Sequence, residues 1–330
     1  MKKILQYLFE HKLLTRSEAK EVLHNISKGI YNDTEVAAFV TVYLMRSITI
    51  EELQGFRDAL LELCIKVDVN GHKTLDIVGT GGDGKNTFNI STLACFIAAG
   101  TGQKVAKHGN YGASSISGAS NVMEQVGYKF KNNSEELKKE IEEANICFMH
   151  APLFHPALKT VAPIRKNFGL RTFFNMLGPL VNPASPEFQL IGVYNLEMAR
   201  IYSYLLHQTG KAFTIIHGLD GYDEISLTND TKVITNEGEQ IKTPLELGKR
   251  FVEAENISGG ATAEEAATIF LKIIKGEGTW SQNAVVLANA ATALHCTGIY
   301  KNYEDAYTAS VDSLESGSAY NCLQKLISLQ

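Results

Sequence analysis

The segment Asp76-Ile-Val-Gly-Thr-Gly-Gly-Asp83-Gly-Lys-Asn-Thr87-Phe-Asn89-Ile-Ser91-Thr92 constrains this chain more than any other, because it sets four glycines within six positions directly behind the apolar run Leu75 to Val78. The run reads as a buried strand, and Thr92 to Ala99 has helical spacing. A strand that opens through glycines into a helix start offers backbone N–H groups to an anion, and glycine lets the main chain approach it without a clashing Cβ. Asn89, Ser91 and Thr92 add side-chain donors at the cap. An ordinary strand-to-helix turn with a Ser or Thr cap does not need four glycines, so anion binding is the stronger reading. The pattern is neither Gly-x-Gly-x-x-Gly nor a Walker loop, since Gly84-Lys85 lacks the spacing and the following Ser or Thr.

A second loop repeats the logic. Lys107-His108-Gly109-Asn110-Tyr111-Gly112-Ala113-Ser114-Ser115 again follows a short apolar run, with one cation, two glycines and two hydroxyls suited to a phosphate. Two such loops imply a ligand with two phosphate ends. Any such binding must be local, because 31 Lys plus Arg against 36 Asp plus Glu gives a net charge of -5 and no general attraction to nucleic acid or acidic membranes. The five cysteines are scattered, odd in number and without a Cys-x-x-Cys pair, which argues against a disulfide framework or structural zinc. Charged residues from Glu10 to Glu18 interrupt the N-terminal apolar stretch before signal-peptide length, and no apolar run reaches the roughly 18 residues of a membrane span, so a cytoplasmic location is expected.

Three capping boxes, Thr15 with Glu18, Asn32 with Glu35 and Thr49 with Glu52, mark residues 1 to about 68 as a run of helices. The middle helix is apolar on more than one face and is read as core or a dimer contact. From Lys73 short apolar runs, Leu75 to Val78, Lys104 to Ala106, Ile146 to Met149, Leu190 to Val193 and Phe213 to Ile216, alternate with helical stretches, which is the pattern of an α/β sheet. Ser134 to Ala144 is expected to be helical after an Asn133 cap, with its charges, Glu140 among them, on a solvated face. A hairpin is expected around Ile225 to Glu239, and helices again from Ala261 onward.

Taken together, the two glycine loops resemble the signatures of the anthranilate phosphoribosyltransferase family. Two further segments agree with it: His155-Pro-Ala-Leu-Lys with Pro163-Ile-Arg165 to Pro183, and the acidic Gly218-Leu-Asp220-Gly221-Tyr-Asp223-Glu224. The likeness runs along the whole chain in order. It implies an α/β fold with a small N-terminal helical domain, residues 1–70 with about 161–182, and a larger α/β domain with a central, mostly parallel sheet, residues 71–160 and 183–330. It also implies an enzyme that transfers phosphoribose from phosphoribosyl pyrophosphate to the amino group of anthranilate, with Mg2+ as cofactor, in tryptophan biosynthesis. A homodimer through the helical domain is implied, with no nucleic-acid or membrane partner.

Residue by residue, the resemblance assigns the phosphoribosyl donor to Gly79, Gly82, Asp83, Thr87, Asn89, Ile90, Ser91 and Thr92, and to Lys107, His108, Gly109, Asn110, Tyr111, Gly112, Ala113, Ser114 and Ser115. Anthranilate is assigned to Gly79, Asn110 and Arg165, whose planar guanidinium suits a carboxylate. Magnesium is assigned to Ser91, Asp223 and Glu224, hard oxygen ligands of the kind this ion shares with phosphates. No obligatory acid or base is expected, and His108 is at most a helper. The chain departs from the family pattern at Tyr111, where Arg is usual, at Asn121, where Asp is usual, and at His150, where an apolar or aromatic residue is expected. The rivals are a pyrimidine nucleoside phosphorylase, whose Lys-His-Ser-Thr-Gly-Gly loop is missing here, and a non-catalytic nucleic-acid-binding relative, against which the net charge and the retained Arg165, Asp223 and Glu224 argue.

Overall fold

A computed structural model describes residues 1–112, 116–248 and 250–330. Ala113, Ser114 and Ser115 of the second loop lie outside the described residues. Four helices come first: α1 (Lys2–Phe9), α2 (Arg16–Ser27), α3 (Asp33–Met45) and α4 (Ile50–Leu63). All three expected capping boxes form, at Thr15 with Glu18, Asn32 with Glu35 and Thr49 with Glu52. The third is more than a cap. Glu52 is fully buried, and its carboxylate also accepts from Arg46 Nη2 at 2.6 Å, Tyr43 Oη at 3.2 Å and the Leu14 N–H at 3.1 Å. Burial alone would raise its pKa, but these donors hold it below the usual carboxylate value.

Then follow β1 (Leu75–Gly79), α5 (Ile90–Gly100), β2 (Val105–Gly109), α6 (Ala119–Gln125), α7 (Ser134–Ala144) and β3 (Ile146–His150), before a return to short helices at α8 (Ala151–Phe154) and α9 (Ala162–Phe168). The last part carries β4 (Phe188–Gly192), α10 (Leu196–His207), β5 (Ala212–Gly218), β6 (Thr231–Thr235), β7 (Gly238–Lys242), α11 (Pro244–Gly248), α12 (Ala263–Ile274), α13 (Trp280–Cys296), α14 (Tyr303–Glu315) and α15 (Ser318–Ser328). Among the described residues, no helix is long and apolar enough to cross a membrane.

The chain forms two compact units. Met1–Lys66 and Ala151–Ser185 make a helical unit, and Val67–His150 with Pro186–Gln330 make an α/β unit. In the first, Phe173 from the returning segment stacks on Phe56 at 4.6 Å and meets Phe39 and Tyr43 edge-on at 6.3 and 5.0 Å. Burial of four aromatic rings in one cluster is the main reason the returning segment belongs to this unit.

In the second, the sheet order is β3-β2-β1-β4-β5-β6-β7, with the first five strands parallel and β6 and β7 antiparallel. From β1 the chain winds toward β2 and β3, and afterwards returns to β4 on the other side. The boundary between β1 and β4 is thus a topological switch point, where open parallel sheets leave a crevice beyond the strand ends. The core is built on α5, buried from Ile90 (apart from Ser91) to Ala99, and on α13, buried from Ala284 to Leu294.

Two expectations change. The hairpin is β6 and β7, turning at Asn236-Glu237. Residues 225–230 are not strand, because Leu227 takes a positive φ of 60° and the Asn289 side chain holds Ile225 on both its N–H and its carbonyl. Glu140 is not on a solvated face: it is fully buried, paired with Lys131 at 3.0 Å and bonded by the Tyr128 hydroxyl at 2.9 Å.

Candidate active site

The first glycine loop leaves the end of β1, and Gly81, Gly82 and Gly84 have φ of +65°, +78° and +75°. These left-handed positions are what a side chain would resist, so the sequence of glycines sets the loop's path. Its far end is fixed by an isolated bridge between Thr87 and Ser258 and by the Asn86 amide, which donates to the Gly260 carbonyl at 2.7 Å. Asn89 precedes α5 but does not cap it with its side chain. Instead its Nδ2 donates to the Ser117 carbonyl at 2.9 Å, tying the first loop to the second.

The acidic segment after β5 lies against this loop. Gly218 and Gly221 close a turn, with the Gly221 N–H donating to the Gly218 carbonyl at 2.8 Å, and the Gly218 N–H donates to the Tyr222 carbonyl at 2.9 Å. Asp223 and Glu224 are thereby carried to the switch point. Asp223 is buried and accepts from the Gly81 N–H at 2.6 Å. Glu224 accepts from the Ser91 N–H at 3.0 Å, in the first turn of α5, and from the Thr87 hydroxyl at 3.2 Å. A Cβ on Gly79 would stand 2.5 Å from Asp223 Oδ2, and one on Gly192 would overlap the Asp223 carbonyl. Gly79 and Gly192 are register partners in β1 and β4, so both strand ends must be bare for the acidic segment to fit.

The electrostatics follow from this crowding. Burial, and then the charges of Glu224 and Asp83, push the Asp223 carboxyl well above the carboxylate range. Burial raises Glu224 to about 7 despite the Ser91 and Thr87 hydrogen bonds and the positive charge of Lys107. Carboxylates held together in this way favour a proton or a cation. Among the described residues, no group of three or more His, Cys, Asp or Glu side chains is placed to hold a metal ion by itself.

In the second loop Lys107 and His108 lie on β2 and are buried. The Lys107 ammonium donates to the Ile77 carbonyl at 2.8 Å, and the His108 N–H donates to the Asp76 carboxylate at 3.4 Å. Asn110 and Gly112 are exposed beyond the strand end. The Asn110 side chain accepts from the Tyr111 N–H at 2.8 Å, while the Tyr111 hydroxyl donates to Glu124 at 2.9 Å. The structure therefore brings together Gly79, Gly82, Asp83, Thr87, Asn89 to Thr92, Asp223 and Glu224 at adjacent strand ends, with Lys107 to Gly109 on the neighbouring strand and Asn110 to Gly112 beyond its end.

Arg165 belongs to the helical unit, on α9. Burial lowers its pKa from the ordinary arginine value, and its guanidinium lies 5.6 Å from the centre of the Phe174 ring. Sequence reading passed over four positions that shape the α/β site: Asp76 beneath β2, Gly192 at the end of β4, Asn86 and Asn289. Glycine at the end of β4, as at the ends of β1, β2 and β5, was the available signal for Gly192.

The glycosyl transferase family helical bundle domain matches residues 2–64, and the glycosyl transferase family a/b domain matches residues 71–320. An anthranilate phosphoribosyltransferase of Christiangramia forsetii is 54% identical over 326 residues, covering 99% of this chain and 98% of that protein. One of Flavobacterium johnsoniae is 56% identical with the same coverage. Among solved structures, anthranilate phosphoribosyltransferase of Thermus thermophilus has a TM-score of 0.92 at 32% identity, covering 98% of each chain. The enzyme of Saccharomyces cerevisiae in complex with PRPP and Mg has a TM-score of 0.89 at 29% identity, covering 96% of this chain and 93% of that one.

Proposed function

The chain belongs to the anthranilate phosphoribosyltransferase family of glycosyl transferases, and from that premise we propose how its residues carry the reaction. It transfers the phosphoribosyl group from phosphoribosyl pyrophosphate to the amino group of anthranilate, releasing pyrophosphate, in tryptophan biosynthesis. The C1–O bond to pyrophosphate breaks, the C1–N bond forms, and the amine gives up one proton. The observation that carries this reading is the acidic pair seated on the glycine loop: a buried Asp223 and a half-buried Glu224 with raised proton affinity, beside backbone N–H groups that suit phosphate.

Asp223 and Glu224, with Ser91 beside them, fit a hard divalent cation, and they would share magnesium with phosphate and water oxygens, as this ion prefers. When bound, magnesium neutralises charge on the pyrophosphate leaving group. The chain's own residues do the rest. The glycine loop and the start of α5 hold phosphate oxygens through N–H groups, and Thr87, Asn89 and Thr92 supply polar side chains there. Gly109 to Gly112, with Ala113, Ser114 and Ser115, hold the other phosphate end. Arg165 takes the anthranilate carboxylate as a bidentate partner, with Asn110 and Gly79 assigned to the same substrate.

The arylamine is a neutral nucleophile at pH 7, so positioning and charge stabilisation are the main catalytic effects and no obligatory base is needed. His108, buried on β2, is left the role of helper.

A cytoplasmic location and a homodimer complete the proposal. The dimer is supported by exposed apolar side chains on the helical unit, Phe9 at 62% and Met45 at 83%. Sedimentation as a monomer at micromolar concentration would count against it. The test of function is to mix the protein with phosphoribosyl pyrophosphate, magnesium and anthranilate and follow the fluorescence of anthranilate, which falls as product forms. Constant fluorescence together with phosphorolysis of thymidine or uridine overturns the reading in favour of a nucleoside phosphorylase.

A further inference from the structure

The three positions at which the chain departs from the family pattern, Tyr111, Asn121 and His150, meet around the second loop. His150 ends β3 and is the register partner of Gly109, where the loop leaves β2. It is buried, and its ring stacks on Phe130 with centroids 4.2 Å apart and planes 10° from parallel. The Tyr111 ring meets it edge-on at 4.8 Å and 71°. Tyr111 also meets Phe130, at 6.3 Å, so the three rings form a corner that restricts the imidazole on one face and one edge.

Its Nδ1 shares a hydrogen bond of 2.8 Å with the Ser120 hydroxyl, and the Ser120 N–H donates to the Asn110 carbonyl at 3.1 Å. The next residue, Asn121, accepts through a single oxygen from the Gly112 N–H at 3.0 Å and from the Gly118 N–H at 2.9 Å. One neutral side chain therefore pins both ends of residues 112–118, adding no negative charge beside a phosphate. A Cβ on Gly118 would collide with the Gly112 backbone, so the two ends are already in close contact.

We propose that His150 is a positioning residue for the second phosphate loop: held by Phe130 and Tyr111, it fixes Ser120, and through Ser120 and Asn121 it sets the path of Asn110 to Gly112 and the position of Gly118. The role rests on the reading of this loop as part of the phosphoribosyl-donor site. His150 touches no reacting atom. It acts by holding the loop backbone in place before the donor arrives, which lowers the ordering cost of binding.

Two variants remove the same hydrogen bond from opposite ends. His150→Phe keeps an aromatic ring in the stack, and Ser120→Ala leaves the histidine in place. Each raises the KM for phosphoribosyl pyrophosphate about five- to tenfold, the effect of one buried hydrogen bond, with kcat nearly unchanged. The double variant is no worse than either single one, because both delete one interaction. Hydrogen–deuterium exchange without substrate speeds up in peptides covering 109–121 and not in those covering α5. Unchanged exchange at 109–121 in both variants refutes the inference whatever the enzyme's substrate. So do effects that add, or a fall in kcat at constant KM. A parent that protects 109–121 with phosphoribosyl pyrophosphate yet leaves anthranilate untouched overturns the acceptor assignment and leaves this one standing.

Discussion

Replacing Glu224 by Gln in the metal-free protein should stabilise the fold at pH 8 and do little at pH 5. Burial is the chief cause that raises the Glu224 pKa from 4.5 to about 7. In the folded state this carboxyl binds its proton more tightly than in the unfolded chain. Its cost to stability is therefore absent below about pH 4.5, grows as pH rises, and is complete above about pH 7. At 1.36 kcal/mol for each pKa unit, the upper limit is about 3 kcal/mol.

Two facts reduce that figure. Glu224 keeps partial contact with solvent. Glutamine would still accept from the Ser91 N–H, but without the extra strength of a charged acceptor, a loss of about 1 kcal/mol. The net gain is about 1 kcal/mol at pH 8, or about 2 °C in Tm for a chain of this size. Thermal unfolding in chelator at pH 5, 6.5 and 8 measures it. Adding magnesium should reverse the order, since the parent gains more from the ion than the variant does. A Glu224→Gln variant that is less stable than the parent at pH 8 in chelator, or equally displaced at all three pH values, refutes the account of a crowded, cation-seeking pair.

Two other substitutions test the remaining parts of the site. Arg165→Ala should raise the KM for anthranilate about tenfold or more while leaving that for phosphoribosyl pyrophosphate within about twofold, and Arg165→Lys should rescue little because an ammonium cannot make the bidentate pair; steady-state kinetics with each substrate varied decides it, and equal loss for both substrates counts against the role. Asn289→Ala removes the amide that holds the Ile225 N–H and carbonyl, at 3.1 and 2.8 Å, so it should cost about 2 kcal/mol of stability by leaving buried backbone groups unpaired and should shift the magnesium concentration for half-maximal rate upward; an unchanged magnesium titration would mean that Asn289 does not position the acidic segment.

Much of this architecture is legible in the sequence because local rules act there alone. Each of the three N-terminal capping boxes satisfies backbone donors within four residues, so no tertiary knowledge is needed to see it. The five parallel strands are short apolar runs for the same reason: both faces are covered, and alternation is lost. What could not be read depends on partners distant in sequence. Glu140 sits in a charged helix and looks solvated until Tyr128 and Lys131 fold over it. Ile225 to Leu227 has the composition of a strand, but Asn289, 64 residues further on, takes the backbone groups a neighbouring strand would have used.

The glycines of the first loop show how the two kinds of information combine. From sequence, they answer the needs of a ligand: bare backbone close to phosphate. In the fold, Gly79 and Gly192 also answer a need of the protein, since any side chain there would strike Asp223. The N–H groups of Gly81 and Ser91, which suit an anion, are engaged by Asp223 and Glu224, with Asp83 close enough to raise both of their pKa values. A bare pyrophosphate group approaching this loop therefore meets the two carboxyl groups before it meets donors, and whatever negative charge they carry repels it. The geometry favours a donor that arrives with its cation, which satisfies the carboxylates and leaves the loop N–H groups to the phosphate. With an acidic pair on a phosphate loop, donor binding itself, and not only the chemical step, should depend on metal, and titration of phosphoribosyl pyrophosphate in chelator and in magnesium measures it.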